Sequence, residues 1–434
     1  MKQSMYNGDF IKTSAIKTGK GFSFMIRALW VCVLSAGLLA SCDSDFKTPD
    51  VVLVDLKIAP VTAENMNTSY HKSKPVLASS LPLIIDYSGF NAAFLHEAVA
   101  YLDANADSFI DMFFATGLNL STIPTDAELY INAGDDLTFT DQASSFPYLV
   151  SVSDATIADV PQSLHARKSL VSDFTGDDLD DIFVLDQGVN DGSFSGAAPK
   201  LLIHQTRLTD PNDPASALIH SFRHQIYGQD AGYHTGGASA DIDNDGDSDI
   251  FVGGLEPFFY INTGLGGFVR VNNRWDRSMN KVLTAELVDV DQDGYVDLIA
   301  AGNETDGDVT SIYWGNSTGA YSRDLRTSID SYAGYESVLD IEVEDLDADS
   351  NRDIVLYRRN PVTDTDRVVQ ILKNNADRSF ADVTATTIVN PVNTVSAWLR
   401  AQDYDNDGDI DILPDNAAAG FWYQNDGFGV FIQQ

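Results

Sequence analysis

The sequence predicts an all-β fold: four-stranded antiparallel blades arranged radially as a β-propeller, with seven blades preferred and six the close alternative. Three observations predict it. A nine-residue acidic pattern returns six times, its copies starting 48 to 70 residues apart. Short runs of β-branched and aromatic residues flank the copies, with no long amphipathic helical pattern between them. Each interval holds about four strands joined by Gly- and Asn-rich turns. Radial repetition suits such units because it leaves only short, protected edges.

In chain order the copies are DANADSFID from Asp103, DFTGDDLDD from Asp173, DIDNDGDSD from Asp241, DVDQDGYVD from Asp289, DLDADSNRD from Asp345 and DYDNDGDID from Asp403. Apolar strand-like runs bracket them: VLTAELV and LIAAG around the fourth, with IFVL, IFVG and IVLY after Asp181, Asp249 and Asp353. Hairpins complete each unit, as in EPFFYINTGLGGFVRV and GFWYQNDGFGVFIQQ. The aromatics after those turns, Phe268, Tyr321, Phe380 and Phe428, are expected to pack between neighbouring sheets. Residues 50–85 hold enough strand-forming sequence for one further, degenerate blade without an acidic loop. The first strands are also expected to complete the last sheet and close the ring.

The loop chemistry follows from the residue types. Positions 1, 5 and 9 are Asp in every copy, and position 3 always carries a side-chain oxygen. The expected cation ligands are therefore Asp103, Asn105, Asp107 and Asp111; Asp173, Thr175, Asp177 and Asp181; Asp241, Asp243, Asp245 and Asp249; Asp289, Asp291, Asp293 and Asp297; Asp345, Asp347, Asp349 and Asp353; and Asp403, Asp405, Asp407 and Asp411. Alternate oxygens on a curled loop converge on one point, and Ca²⁺ takes six to eight oxygens at roughly 2.3–2.6 Å. Up to six Ca²⁺ ions are expected. Nitrogen and sulfur ligands are absent from the loops, which excludes zinc- and copper-type sites there. Position 6, where Gly246, Gly294 and Gly408 stand in three copies, is expected to need a sharp turn. The loops at Asp103 and Asp173 are expected to be the weakest.

On these loops and hairpins the chain resembles the FG-GAP/VCBS repeat family. The D-x-D-x-D-G-x-x-D pattern is matched best at Asp241, Asp289 and Asp403, and the strand-Asn-Gly-Phe tail at Tyr260 to Phe268 and Trp422 to Phe428. The resemblance covers about residues 95–434. It implies calcium-binding propellers such as the integrin alpha-chain head and those of bacterial surface proteins. Many members act in adhesion or ligand binding, and some similar propellers are polysaccharide lyases.

The N-terminus reads differently. Ala28 to Ala40 is an apolar run preceded by Arg27 and followed by Ser41 and Cys42. That order is an export signal, too short to span a bilayer comfortably. It resembles a bacterial lipoprotein signal, in which Cys42 becomes the lipidated first residue. The expected organisation is a signal peptide over 1–41, a tether over 42–50 and a single propeller over 51–434. The expected location is a bacterial membrane, reached through lipid on Cys42, with the outer membrane or cell surface favoured over the inner membrane. Cys32 would leave with the signal, so no disulfide staples the exported part.

Composition narrows the partners. Formal net charge is −37, from 64 acids against 27 Lys and Arg, with no basic patch or stripe. Nucleic acid is excluded as a partner. The expected partner is an envelope or extracellular glycan or protein. His96, His165 and His234 precede three successive loops by seven or eight residues, a spacing that places them at the channel mouth opposite the loops. The stretch HSFRHQIYGQDAGYHTGG reads as a polar, aromatic insertion carrying Arg223, His224 and Tyr227. These six residues are the candidate ligand contacts. No G-x-S-x-G, H-E-x-x-H or phosphate-loop pattern occurs. The expected role is ligand binding or adhesion at the envelope. The alternatives are an enzyme acting on extracellular polysaccharide and a structural part of an envelope complex.

Overall fold

Short strands buried on both faces, such as Asp181–Asp186 and Asp249–Val252, need a sheet on either side, which radial packing supplies. The computed structural model describes residues 95–117, 122–132, 139–141, 148–150, 160–189, 192, 195–276, 279, 281–363, 366–389, 399–405, 407–414 and 422–434. They form a six-bladed propeller of antiparallel sheets. The signal, the tether and the degenerate blade expected over 50–85 lie outside the described residues. Six, the alternative count, is the number of blades among those residues.

Blade 1 is built from Leu95–Leu102, Asp111–Gly117, Glu128–Asn132 and Phe139–Asp141. Blade 2 uses Ala166–Ser172, Asp181–Asp186, Lys200–Leu208 and Leu218–Ile226, and Tyr148–Val150 adds a parallel fifth strand outside. Blade 3 is Gly237–Ala240, Asp249–Val252, Phe258–Asn262 and Phe268–Val271. Blade 4 is Thr284–Val288, Asp297–Ala301, Ser311–Tyr313 and Arg326–Ser328. Blade 5 is Ser337–Glu344, Asp353–Arg359, Arg367–Asn374 and Phe380–Asp382. Blade 6 is Leu399–Gln402, Asp411–Pro414, Tyr423–Asn425 and Phe431–Gln433, with Ile388–Val389 parallel to its last strand.

First strands face one another in sequence from blade 1 to blade 6. The Arg400 guanidinium lies over the Tyr101 ring at 5.5 Å, bringing blade 6 against blade 1. Lys168 on blade 2 reaches past blade 3 to pair with Glu286 on blade 4 at 2.9 Å. Among the described residues, each sheet draws its strands from one neighbourhood of the chain, so the expected sharing of first strands with the last sheet is not seen there.

The cores lie between blades. Val171, Ile182 and Leu202 of blade 2 meet Leu102, Phe113 and Leu129 of blade 1. Ile354 and Leu356 of blade 5 meet Val288 and Ile299 of blade 4. Each such side chain stabilises by about 1.5–3 kcal/mol when fully buried. Tyr321 stacks on Phe259 of blade 3 at 5.6 Å, and Phe268 meets Phe174 of blade 2 at 5.7 Å. Phe380 packs against the core between blades 4 and 5. Phe428 departs from expectation: it is 79% exposed at the tip of its turn, and the buried Phe431 takes the packing role.

Candidate functional site

Each acidic loop joins the first and second strands of its blade, so all six open on one face. The first Asp caps the turn it begins. Asp241 Oδ1 accepts the Asp245 N–H at 3.1 Å, and its Oδ2 accepts the Gly246 N–H at 2.9 Å. Asp103, Asp173, Asp289 and Asp345 repeat both bonds, and Asp403 accepts from the Gly408 N–H. Position 6 is left-handed in every copy, from φ 65° at Asp178 to 98° at Gly246 and Gly408, which is where glycine costs least. Position 4 is left-handed too, at Ala106, Gly176, Asn244, Gln292 and Ala348, and of these only Gly176 and Asn244 are residue types that favour it.

Position 9 is the latch. Asp249 is fully buried; its Oδ2 accepts the Ile242 N–H at 3.1 Å and its Oδ1 the Asn262 N–H, on the third strand, at 2.8 Å. Asp111, Asp181, Asp297, Asp353 and Asp411 make the equivalent pair of bonds. Burial above all, with neighbouring loop carboxylates adding, pushes these carboxyls up. They reach about 8 at Asp181, Asp249 and Asp297, about 7 at Asp111, and about 6 at Asp353 and Asp411. A bound cation would favour the ionised form and reverse that shift.

Four loops bring three carboxylates together. Asp241 with Asp243 and Asp249 each place an oxygen within 4.8 Å of the others, as do Asp289 with Asp291 and Asp297, Asp345 with Asp347 and Asp353, and Asp403 with Asp405 and Asp411. Asn105 and Thr175 hold position 3 in the other two loops, so those carry one carboxylate fewer. Position 5 bonds locally: Asp107, Asp177, Asp245, Asp293, Asp349 and Asp407 each accept the N–H two residues on through Oδ1. Asp243 Oδ1, Asp347 Oδ1 and Asp403 Oδ1 are buried and accept no hydrogen bond. Such oxygens are costly unless paired. An oxygen-only donor set of this kind fits a hard divalent cation.

The third-strand Asn does a second job that sequence reading noticed only as a motif letter. Asn262 Nδ2 donates to Phe174 O in the loop of blade 2, at 2.9 Å. Asn374 Nδ2 donates to Val290 O in the loop of blade 4, and Asn425 Nδ2 to Leu346 O in that of blade 5. The loops of blades 2, 4 and 5 are thereby tied to the blade that follows each; in blade 4 the place of the Asn is taken by Gly315. Blade 2 has His204 at this place; burial and the neighbouring His220 push its imidazole down to about 4.

The six candidate ligand contacts are scattered over several elements. His96 lies in the first strand of blade 1. His165 directly precedes the first strand of blade 2 and is buried, its N–H donating to Asp186 Oδ1 at 3.0 Å. His234 is also buried, with Nε2 2.9 Å from Asp230 O and its ring edge-on to Phe258. The expected insertion is in large part regular structure. Arg223 and His224 belong to the outermost antiparallel strand of blade 2, opposite Ile203 and Leu202. Tyr227 joins an aromatic cluster with Phe183 and Tyr260, and burial raises its phenol above the ordinary value. Sequence reasoning missed a cavity of about 280 Å³ at the far end of blade 3, lined in part by Glu256, Phe258, Arg270 and Trp275. Asp230 holds Arg270 there at 2.8 Å, and the guanidinium stacks 3.9 Å from the Phe258 centroid. Only the spacing of polar and aromatic residues across two strands and a turn encodes it.

No family model matches the chain, and no curated protein matches it. Among solved structures it is similar to the V. cholerae biofilm matrix protein Bap1, at 16% identity over 72% of this chain and 41% of that one, with a TM-score of 0.33. This chain thus covers less than half of that protein's length, and at such distance neither ligand nor partner carries across. The resemblance to FG-GAP/VCBS repeats rests on the sequence pattern alone, and no comparison shows that family for this chain.

Proposed function

We propose that this chain is an exported propeller, lipid-anchored through Cys42, whose acidic loops bind Ca²⁺ and whose remaining surface binds a glycan or protein at the cell envelope. The observation that carries the cation reading is the set of four carboxylate triads on equivalent loops of one face, three of them with a buried, unpartnered oxygen. When bound, Ca²⁺ supplies positive charge to carboxyls that burial otherwise pushes toward neutrality. The chain's own residues do the positioning: position 1 curls the loop, position 9 anchors it to the third strand, and in the loops of blades 2, 4 and 5 an Asn of the following blade ties it across. The cavity beside Arg270 and Glu256 is the candidate ligand recess. It presents a guanidinium, a carboxylate and aromatic walls on the end of blade 3 opposite the loops.

The test is retention of the Ca²⁺-loaded protein on a panel of envelope glycans and proteins, with release of unsaturated sugar followed in parallel. Saturable retention without turnover is expected. Retention on nothing in the panel contradicts a binding role, and turnover moves the chain to the lyase alternative. For the anchor, Cys42→Ala should abolish incorporation of labelled fatty acid; incorporation that survives the substitution contradicts it.

A further inference from the structure

The four triad loops differ in what their carboxylates touch. In the loop of blade 4, Arg378 Nε lies 2.5 Å from Asp291 Oδ2 and its Nη2 lies 3.0 Å from Asp293 Oδ2. Positions 3 and 5 are thus held by one guanidinium. The arginine comes from the last turn of blade 5, and its guanidinium also stacks on Trp314 at 4.8 Å. Its backbone is unusual. Arg378 has φ 65° where the matching turns of blades 3, 4 and 6 carry Gly266, Gly319 and Gly429 at 69°, 60° and 78°. Those glycines pack on position 3 of the preceding loop: a Cβ would meet Thr175 Cγ2 at 3.1 Å, Asp243 Cβ at 3.2 Å and Asp347 Cβ at 3.1 Å. A side chain at this position is therefore directed onto the carboxylates of the preceding loop. A left-handed arginine is disfavoured by its Cβ, and the two ion pairs offset that strain.

The loop of blade 5 has its own cation. Lys373 pairs with Asp347 and, at 3.0 Å, with Asp349, again positions 3 and 5. Lys373 directly precedes Asn374; in blade 6 the residue preceding Asn425 is the neutral Gln424, which donates to Asp405. The other two triads are less neutralised. In blade 3, Arg274 reaches only position 3, at Asp243 Oδ2 and 3.1 Å. In blade 6, no Lys or Arg among the described residues pairs with the loop.

We propose that the loops at Asp289 and Asp345 use Arg378 and Lys373 as resident cations in place of Ca²⁺, leaving the loops at Asp241 and Asp403 as the tight calcium sites. This rests on the reading that the acidic loops take a divalent cation. The physical ground is that like charges within a few ångströms exclude each other, so Ca²⁺ must first displace an arginine or a lysine already hydrogen-bonded to its ligands. Arg378 then holds the junction between blades 4 and 5 whatever the calcium supply, whereas Lys373 neutralises a loop of its own blade.

Counting Ca²⁺ per full chain by equilibrium dialysis and elemental analysis tests this. Wild type should hold about two tightly bound ions. Arg378→Gly, which installs the residue used by blades 3, 4 and 6, should add one, as should Lys373→Gln, which copies blade 6. Arg378→Lys keeps the charge and should add none. Asp291→Asn and Asp347→Asn should leave the wild-type count unchanged, whereas Asp243→Asn should lose one ion; this arm holds even if a charge-removing variant folds poorly. Four tight ions in wild type, or one ion lost with Asp291→Asn, overturns the proposal while leaving calcium binding intact. No calcium in wild type or any variant overturns the calcium reading itself.

Discussion

The loop of blade 3 and the loop of blade 2 share a backbone and differ in chemistry. Both begin with an Asp that accepts the N–H groups of positions 5 and 6, and both end on a buried Asp bonded to position 2 and to the third strand. Only blade 3 gathers three carboxylates, because position 3 is Asp243 there and Thr175 in blade 2. The loop shape is therefore written by positions 1 and 9 through hydrogen bonds, and the charge available to an ion by position 3. The motif carries two separable features, a structural latch common to all six blades and a carboxylate triad present in four.

The largest expected effect breaks the latch. Asp249→Ala and Asp181→Ala should each destabilise the protein by about 2–5 kcal/mol, since each orphans buried N–H groups and leaves a void. Similar losses in metal-free buffer, measured by urea denaturation, would confirm that the latch is common to both blades. A large loss at Asp249 alone would mean that the latch depends on the ligand set.

Next comes pH. The carboxyls of Asp181, Asp249 and Asp297, raised to about 8, bind more protons folded than unfolded in the metal-free protein. Their contribution is fully present below about pH 4 and is lost as pH rises through the folded values. In chelator, stability should fall from pH 4 to pH 8, and saturating Ca²⁺ should flatten that slope. A metal-free stability that rises across this range contradicts the buried, protonated latch.

The smallest effect sharpens the comparison at position 3. Thr175 is buried but supplies no carboxylate, so Thr175→Ala should leave the calcium-dependent gain in stability unchanged, whatever it costs in packing. Asp243→Ala should remove most of its own blade's share of that gain. Equal effects in calcium titrations followed by circular dichroism would erase the distinction drawn between the two loops.

Much of this architecture was legible in the sequence. Six spaced Asp patterns and their flanking apolar runs give the loops, the first two strands of each blade and the hairpins, because side-chain alternation and turn chemistry are local. The tertiary content was less visible. Asp249 reads as one ligand among four, yet one of its two acceptor bonds depends on a third strand 13 residues away. Asn262 reads as a motif letter, but its partner lies 88 residues back in the preceding blade. Arg223 and His224 looked like loop residues because their strand is polar and lacks clean hydrophobic alternation, and its outer neighbour Tyr148–Val150 lies about 75 residues back in the chain. Phe428 looked like a core residue because it follows a Gly-containing turn, whereas Phe431, three residues on, pairs with Asn425 as Phe268 pairs with Asn262 and is the one buried. Arg378 and Lys373 carried no signal at all until the fold set them against carboxylates more than 80 and more than 20 residues away.

The most direct test of calcium as the clip between strands is a thermal melt of the full chain in EDTA, then with millimolar Ca²⁺ or Mg²⁺ restored. The expected result is a sharp fall in Tm in chelator and recovery with Ca²⁺ well ahead of Mg²⁺, each loaded site contributing about 2.7 kcal/mol at about a hundredfold excess over Kd. A Tm that stays the same in chelator and in calcium contradicts it.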